Sequence, residues 1–252
     1  LIHEFGHALG LAHPHDEGGV SSGGDGGSEV MQGVTGPFGV LGTFQLNQGV
    51  FTTMSYNDGW QQAPWGATGS LAFGSQATPM ALDVALIQQR YGVNTNYNNG
   101  NNTYTLTGVN GSFIAIWDTG GTDTISYTGA SAATIDLRPA TLRNEVGGGG
   151  YVSYVNNIYQ GFTIANGVII ENATGSAGAD TLIGNDANNR LTGAANNDAI
   201  HGWGGIDTSV YTVASTGATW TRSVNGNWTV NAGSNGIDTL TSIERLEFTD
   251  RT

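Results

Sequence analysis

The chain has 252 residues with 41 glycines, no cysteine and a formal net charge of −13, a length that fits one large or two modest domains with enough apolar residues for a packed core. Without cysteine no disulfide can staple it, so rigidity outside a cell needs another source, such as metal ions. The acidic balance argues against nucleic acid as a partner, and no stretch approaches the roughly 20 apolar residues of an inserted membrane helix.

Residues 1–12 read as a helix carrying His3, Glu4, His7, Gly10 and, just beyond, His13 in the pattern H-E-x-x-H-x-x-G-x-x-H. At about 100° per residue, His3 and His7 lie one turn apart on one face. A continued helix would aim His13 away from them. Gly10 can take the left-handed conformation that ends a helix, which lets His13 return as a third ligand. Three neutral imidazoles suit zinc and leave room for a water, whose pKa the metal lowers, with Glu4 as general base. A bare H-E-x-x-H also fits an amphipathic helix with surface histidines. The glycine, the third histidine and a downstream Thr53-Met54-Ser55-Tyr56 favour the metal. Taken alone, Met54 reads as a core filler and Tyr56 as a half-buried aromatic.

Between 14 and 78 the sequence is loop-rich. His15 reads as a surface or structural residue, and Asp16, Glu17, Asp25 and Glu29 as solvated groups in a glycine-rich loop. Trp60 and Trp65 fit buried packing at least as well as a cleft wall. A second helix is expected over Met80–Tyr91, with Pro79 in its first turn and Gly92 as its stop. Its apolar face should pack on the metal helix. Asparagine-rich 94–102 marks a boundary.

Beyond it lie short strands and glycine turns. From 175 to 210 a nine-residue period appears: Asp180, Asn189, Asp198 and Asp207, each followed two residues later by Leu182, Leu191, Ile200 or Ser209, with Gly175, Gly184, Gly193 and Gly202 opening the units. This is an eroded G-G-x-G-x-D-x-U-x repeat, in which aliphatic residues stack inside a parallel β-roll and the acidic positions grip calcium. A glycine-rich solenoid without metal is the alternative. Erosion at Asn189 and Ser209 and the lost glycines imply fewer or weaker sites than in an ideal array. His201 sits in the array without an obvious partner.

The motif set resembles the serralysins, secreted bacterial zinc endopeptidases of the metzincin class, and residues 79–92 resemble their last catalytic-domain helix. The resemblance implies an α+β chain. Residues 1–93 would be the C-terminal part of the catalytic domain, two helices plus loops, and 94–252 an all-β parallel β-roll or sandwich domain. It also implies that Met54 forms the floor under the zinc and that Tyr56 is an additional zinc ligand and oxyanion donor. Asp118, Gly120, Gly121 and Asp123 would form a calcium loop, joined by Glu171 before the roll; a solvated turn is the sober reading of each aspartate. The segments 236–240 and 243–248 resemble the family's C-terminal strands. The function implied is hydrolysis of peptide bonds in extracellular proteins, with zinc and calcium as cofactors and protein or peptide substrates as partners. No nucleic-acid partner, no membrane insertion and a monomer are expected, with export by a one-step (type I) secretion machinery. Calcium outside the cell would then drive folding of the roll. A calcium-dependent adhesion or surface-array module with a vestigial protease remnant, and a zinc hydrolase of small nonpeptide substrates, are the competing readings. Because the chain opens with Leu1 inside a helix and closes without a hydrophobic secretion signal, it is expected to be a fragment whose upstream part holds a propeptide and a substrate-binding edge strand.

Overall fold

The computed structural model describes residues 1–16 and 30–252, so that Glu17, Asp25 and Glu29 lie outside the described residues. Helix α1 spans Ile2–Ala8, shorter than expected from sequence. Gly10, at φ +87°, turns the chain. Its N–H donates to His7 O at 2.9 Å, and the Leu11 N–H donates to Gly6 O at 3.0 Å. This is the paired-bond helix stop that a left-handed glycine permits.

Helix α2 spans Ala81–Tyr91 and ends at Gly92, φ +89°. Pro79 precedes the helix rather than sitting in its first turn. Met80 is the extended N-cap residue, held there because its N–H donates to Asp83 Oδ2 at 2.8 Å. The apolar face of α2 addresses the turn after α1 across a cavity of ≈ 690 Å³ lined in part by Leu11, Met54, Leu82 and Leu86. Direct contact is made at the ends, where Tyr91 donates to Leu9 O at 3.2 Å.

The remaining chain forms two sheets. One is wholly parallel and runs, edge to edge, Thr103–Thr105, Thr124–Ser126, Asn172–Thr174, Arg190–Thr192, Thr208–Val210 and Arg245–Glu247. The other is mixed, with nine strands. Its centre stacks Ala133–Asp136, Thr181–Ile183, Ala199–His201 and Ile237–Thr241 in parallel, and antiparallel strands flank them. Each nine-residue unit makes a turn and one short strand, so consecutive strands fall in opposite sheets and residues 18 apart stack. Leu182 is in register with Ile135 and Ile200, and Ile200 with Leu240. On the six-stranded sheet Ala173 is in register with Ile125 and Leu191. All are buried, each large side chain contributing about 1.5–3 kcal/mol of transfer free energy. Ser209, opposite Leu191, is as deeply buried as the aliphatics it stands among. The fold is therefore the expected α+β arrangement, two helices with loops followed by a parallel β-roll.

The loops ahead of α2 seat on the edge of the nine-stranded sheet. Phe113 N–H donates to Ser75 O and Ala77 N–H to Phe113 O, both at 2.9 Å. The Trp60 ring lies 6.1 Å from Phe113 and 5.1 Å from Tyr154, and Trp65 lies 5.3 Å from Tyr154. Both tryptophans thus have a packing role. Among the described residues no helix is long and apolar enough to cross a membrane.

Candidate metal centre

The helix stop delivers the histidines to one point. His3 Nε2 lies 3.1 Å from His13 Nε2, and His7 Nε2 lies 3.0 Å from it. Three nitrogens at about 2.0–2.1 Å from one tetrahedral zinc would sit about 3.3 Å apart, close to what is seen. The opposite ring atoms decide the tautomers. His3 Nδ1 faces Thr53 O at 2.8 Å, His7 Nδ1 faces Leu11 O at 3.0 Å and His13 Nδ1 faces Asp16 Oδ2 at 2.6 Å. All three partners only accept, so each Nδ1 carries the proton and each Nε2 presents a lone pair. Lone pairs converging this closely repel unless a cation or a proton lies among them. The donor set fits zinc. Asp16, although partial burial pushes its carboxyl up, is held below its ordinary value on balance by its bonds to His13.

Met54 is buried under α1, with Gly6 above it: a Cβ on Gly6 would clash with the Met54 sulfur. The helix can rest on the thioether only because residue 6 has no side chain. Glu4 is exposed beside His3. The Tyr56 ring lies 5.5 Å from His3, 4.6 Å from His13 and 5.2 Å from His15. His15, read from the sequence as a surface or structural residue, stacks on His13 with ring centroids 5.0 Å apart. It also forms, with His13 and Asp16, a second group of donors all within 4.8 Å of one another.

Sequence reasoning missed Asp83. It is buried and its carboxylate accepts from Thr52 Oγ1 at 2.6 Å, Thr53 N–H at 2.7 Å, Thr53 Oγ1 at 2.9 Å and the Met80 N–H. Burial raises its pKa, and these four donors counter that rise. Thr53 is the residue whose carbonyl orients His3, so Asp83 ties α2 to the turn beneath the histidine cluster. The signal was present: a carboxylate at the third position of the helix, the one polar residue among the apolar Ala81–Ile87, with two threonines before Met54 as candidate donors.

The acidic loop 118–123 and Glu171 also meet. Asp123 N–H donates to Glu171 Oε2 at 2.7 Å, Asn102 N–H to Asp123 Oδ1 at 2.7 Å and Gly120 N–H to Asp118 Oδ1 at 2.9 Å. Gly120 and Gly121 sit at φ +144° and +136°. Burial first, and the Asp118 and Glu171 charges beside it, raise the Asp123 pKa. Its Oδ2 is buried without a partner. In the array, Asp180 N–H donates to Asp198 Oδ1 and Asn189 N–H to Asp207 Oδ1, each at 2.8 Å. Asp198 N–H then donates to Asp238 Oδ1 at 2.9 Å and Asp207 N–H to Glu244 Oε2 at 2.8 Å. Asp238 and Glu244 extend two carboxylate ladders that the nine-residue count did not reach. Gly236-Ile237-Asp238-Thr239 repeats Gly205-Ile206-Asp207-Thr208, which could have revealed the first. Burial, with Asp238 and Asp180 nearby, pushes Asp198 up to about 7; burial and Glu244 push Asp207 up to about 6. The His201 imidazole accepts from the Trp203 N–H at 2.9 Å, and burial followed by the Arg138 charge lowers its pKa.

Comparison with known proteins bears on the same residues. The family described as Peptidase M10 serralysin C terminal matches residues 84–251. The chain belongs to the serralysin family. It is 33% identical to a serralysin of Proteus mirabilis over 204 residues, covering 76% of this chain and 36% of that protein. Likewise it is 34% identical to the metallopeptidase AprA of Pseudomonas marginalis, covering 75% of this chain and 37% of that protein, and 36% identical to serralysin C of Dickeya chrysanthemi, covering 73% and 35%. The chain thus spans little more than a third of the length of these serralysin relatives.

Proposed function

We propose that this chain is the part of a zinc-dependent endopeptidase that holds the metal and a calcium-stabilised roll, with residues 1–93 belonging to the catalytic domain and 94–252 to the roll. The observation that carries the reading is the set of three Nε2 lone pairs, each aimed by a hydrogen bond at its own Nδ1, converging on one point. Zinc held by His3, His7 and His13 would supply a Lewis acid and lower the pKa of water beside it. Glu4, next in sequence to His3 and open to solvent, takes the proton from the attacking water and hands it to the leaving amine. Tyr56, flanking His3 and His13, donates a hydrogen bond to the oxygen that becomes negative. Thr53, Leu11 and Asp16 keep the ligand tautomers in place, and Met54 supports α1 from below.

Calcium fits where buried carboxylate oxygens have no protein donor: Asp123, Asp198 and Asp207 each keep an unpartnered Oδ2. Oxygen-only donors of this kind suit a hard divalent cation. Substrates are proteins or peptides met outside the cell, and the relatives' printed names, serralysin and metallopeptidase, support that class. Export by a one-step machinery and a monomeric state complete the proposal. It is tested on the purified full-length protein containing this chain, by zinc analysis and casein cleavage with and without chelator. Stoichiometric zinc and chelator-sensitive cleavage are expected; a protein without transition metal, or cleavage indifferent to chelator, would overturn the reading.

A further inference from the structure

The four turns of the nine-residue array are built in two ways. In the last two, the second and fourth positions are left-handed: Ala194 at φ +80° and Asn196 at +69°, then Trp203 at +77° and Gly205 at +99°. Three of these are not glycine, and each costs about 1–2 kcal/mol in that region, so the surroundings must hold them there. The equivalent residues of the first two turns, Ser176, Gly178, Asn185 and Ala187, are absent from the left-handed set. Side chains close those turns instead. Gly178 N–H donates to Ser176 Oγ at 3.0 Å, and Ala187 N–H donates to Asn185 Oδ1 at 2.9 Å, the local bonds by which serine and asparagine make turns.

The acceptors at the sixth position follow suit. Asp180 Oδ1 takes the Ala133 N–H at 2.6 Å, and Oδ2 takes the Ser176 N–H and, at 3.0 Å, the Ser176 hydroxyl. Asn189 Oδ1 takes the Asn185 N–H at 2.7 Å. Nearby carbonyl oxygens, the ordinary backbone ligands of calcium, are matched by amide donors. Asn185 Nδ2 donates to Leu137 O at 3.1 Å and Ile170 O at 2.8 Å, and Asn189 Nδ2 donates to Glu171 O at 3.1 Å. By contrast Asp198 and Asp207, both buried, spend only Oδ1 on the ladder and leave Oδ2 without a donor.

We infer that the array is divided: turns 175–180 and 184–189 are shut by their own side chains and hold no calcium, while the calcium capacity of the array lies in turns 193–198 and 202–207. The division rests on the calcium reading above and goes beyond it by assigning opposite behaviour to repeats of one period.

The test counts calcium bound to the folded full-length protein by equilibrium dialysis after chelation and refilling. Asp198→Asn and Asp207→Asn are each expected to lose one equivalent, whereas Asp180→Asn loses none. Ser176→Gly restores G-G-x-G-x-D over 175–180 and is expected to gain one equivalent. Loss of an equivalent in Asp180→Asn, or an unchanged count in Asp198→Asn and Asp207→Asn, would overturn the division while leaving calcium binding itself intact. Should Asp180→Asn fail to fold, Ser176→Gly decides, an unchanged count overturning the serine's assigned role. A wild-type protein that takes up no calcium at all would remove the broader calcium reading instead.

Discussion

The histidine centre and the β-roll both gather acceptor atoms that lack a partner, yet they do so over different distances along the chain. At the centre, all three histidines come from eleven consecutive residues, and one helix stop at Gly10 converges them. In the roll, the ladders that join one turn to the next link residues 18 or more apart, as when Asp180 N–H meets Asp198 or Asp207 N–H meets Glu244. Local geometry makes the first site tolerant of little change. The second is modular, so the donors around one turn can differ from those around the next while the strand stack is kept.

If the centre works as described, replacing Glu4 by Gln has the largest effect. Peptide cleavage by the full-length protein should fall about 10²–10⁴-fold, the usual worth of a general base, with zinc content unchanged by metal analysis. Retained activity at equal zinc would remove Glu4 from the mechanism. Asp83→Ala comes next. It strands four donors, two of them backbone N–H groups, and should cost about 2–4 kcal/mol in urea unfolding while speeding zinc loss to a chelator; unaltered zinc release would show that the turn under His3 does not depend on α2. Gly10→Ala forces a side chain into the left-handed region and against the Arg90 guanidinium. A loss of about 1–2 kcal/mol and weaker zinc retention are expected, and a neutral result would mean that the helix stop survives without glycine.

The roll responds to pH in the opposite sense from an ordinary salt-bridged carboxylate. Burial holds Asp198 at about 7 and Asp207 and Asp238 at about 6, above the 3.8 of an ordinary aspartate. The folded state therefore binds these protons more tightly than the unfolded chain. Its stability falls as pH rises through those values. Thermal unfolding in chelator should thus occur at lower temperature at pH 8 than at pH 5, and millimolar calcium should narrow that gap, since bound cations favour the ionised groups. A chelated protein equally stable at both pH values would show that the carboxylates are not desolvated as described.

Much of this was legible in the sequence because the relevant physics is local. The spacing of His3, His7 and His13 can serve one ion only if the helix stops at Gly10, and the stop is where the pattern puts it. The nine-residue period likewise implies strands alternating between two sheets. Other features were decided by contacts that no local pattern records. Asp83 matters because Thr52 and Thr53, 30 residues earlier, fold against it. Trp60 and Trp65 became packing residues once Phe113 and Tyr154 met them.

The amino-acid order by itself determined where the histidines converge, where the roll begins its repeat and which residues stack inside it, since each depends on neighbours within one helix turn or one repeat. Only the tertiary structure decided which acidic positions remain without donors, because a buried oxygen is open or closed according to what distant backbone and side chains bring to it. Asp180 and Asp198 occupy the same place in the repeat. Ser176 and Ala133 close the first on both oxygens, and the second is left with one oxygen buried and unanswered.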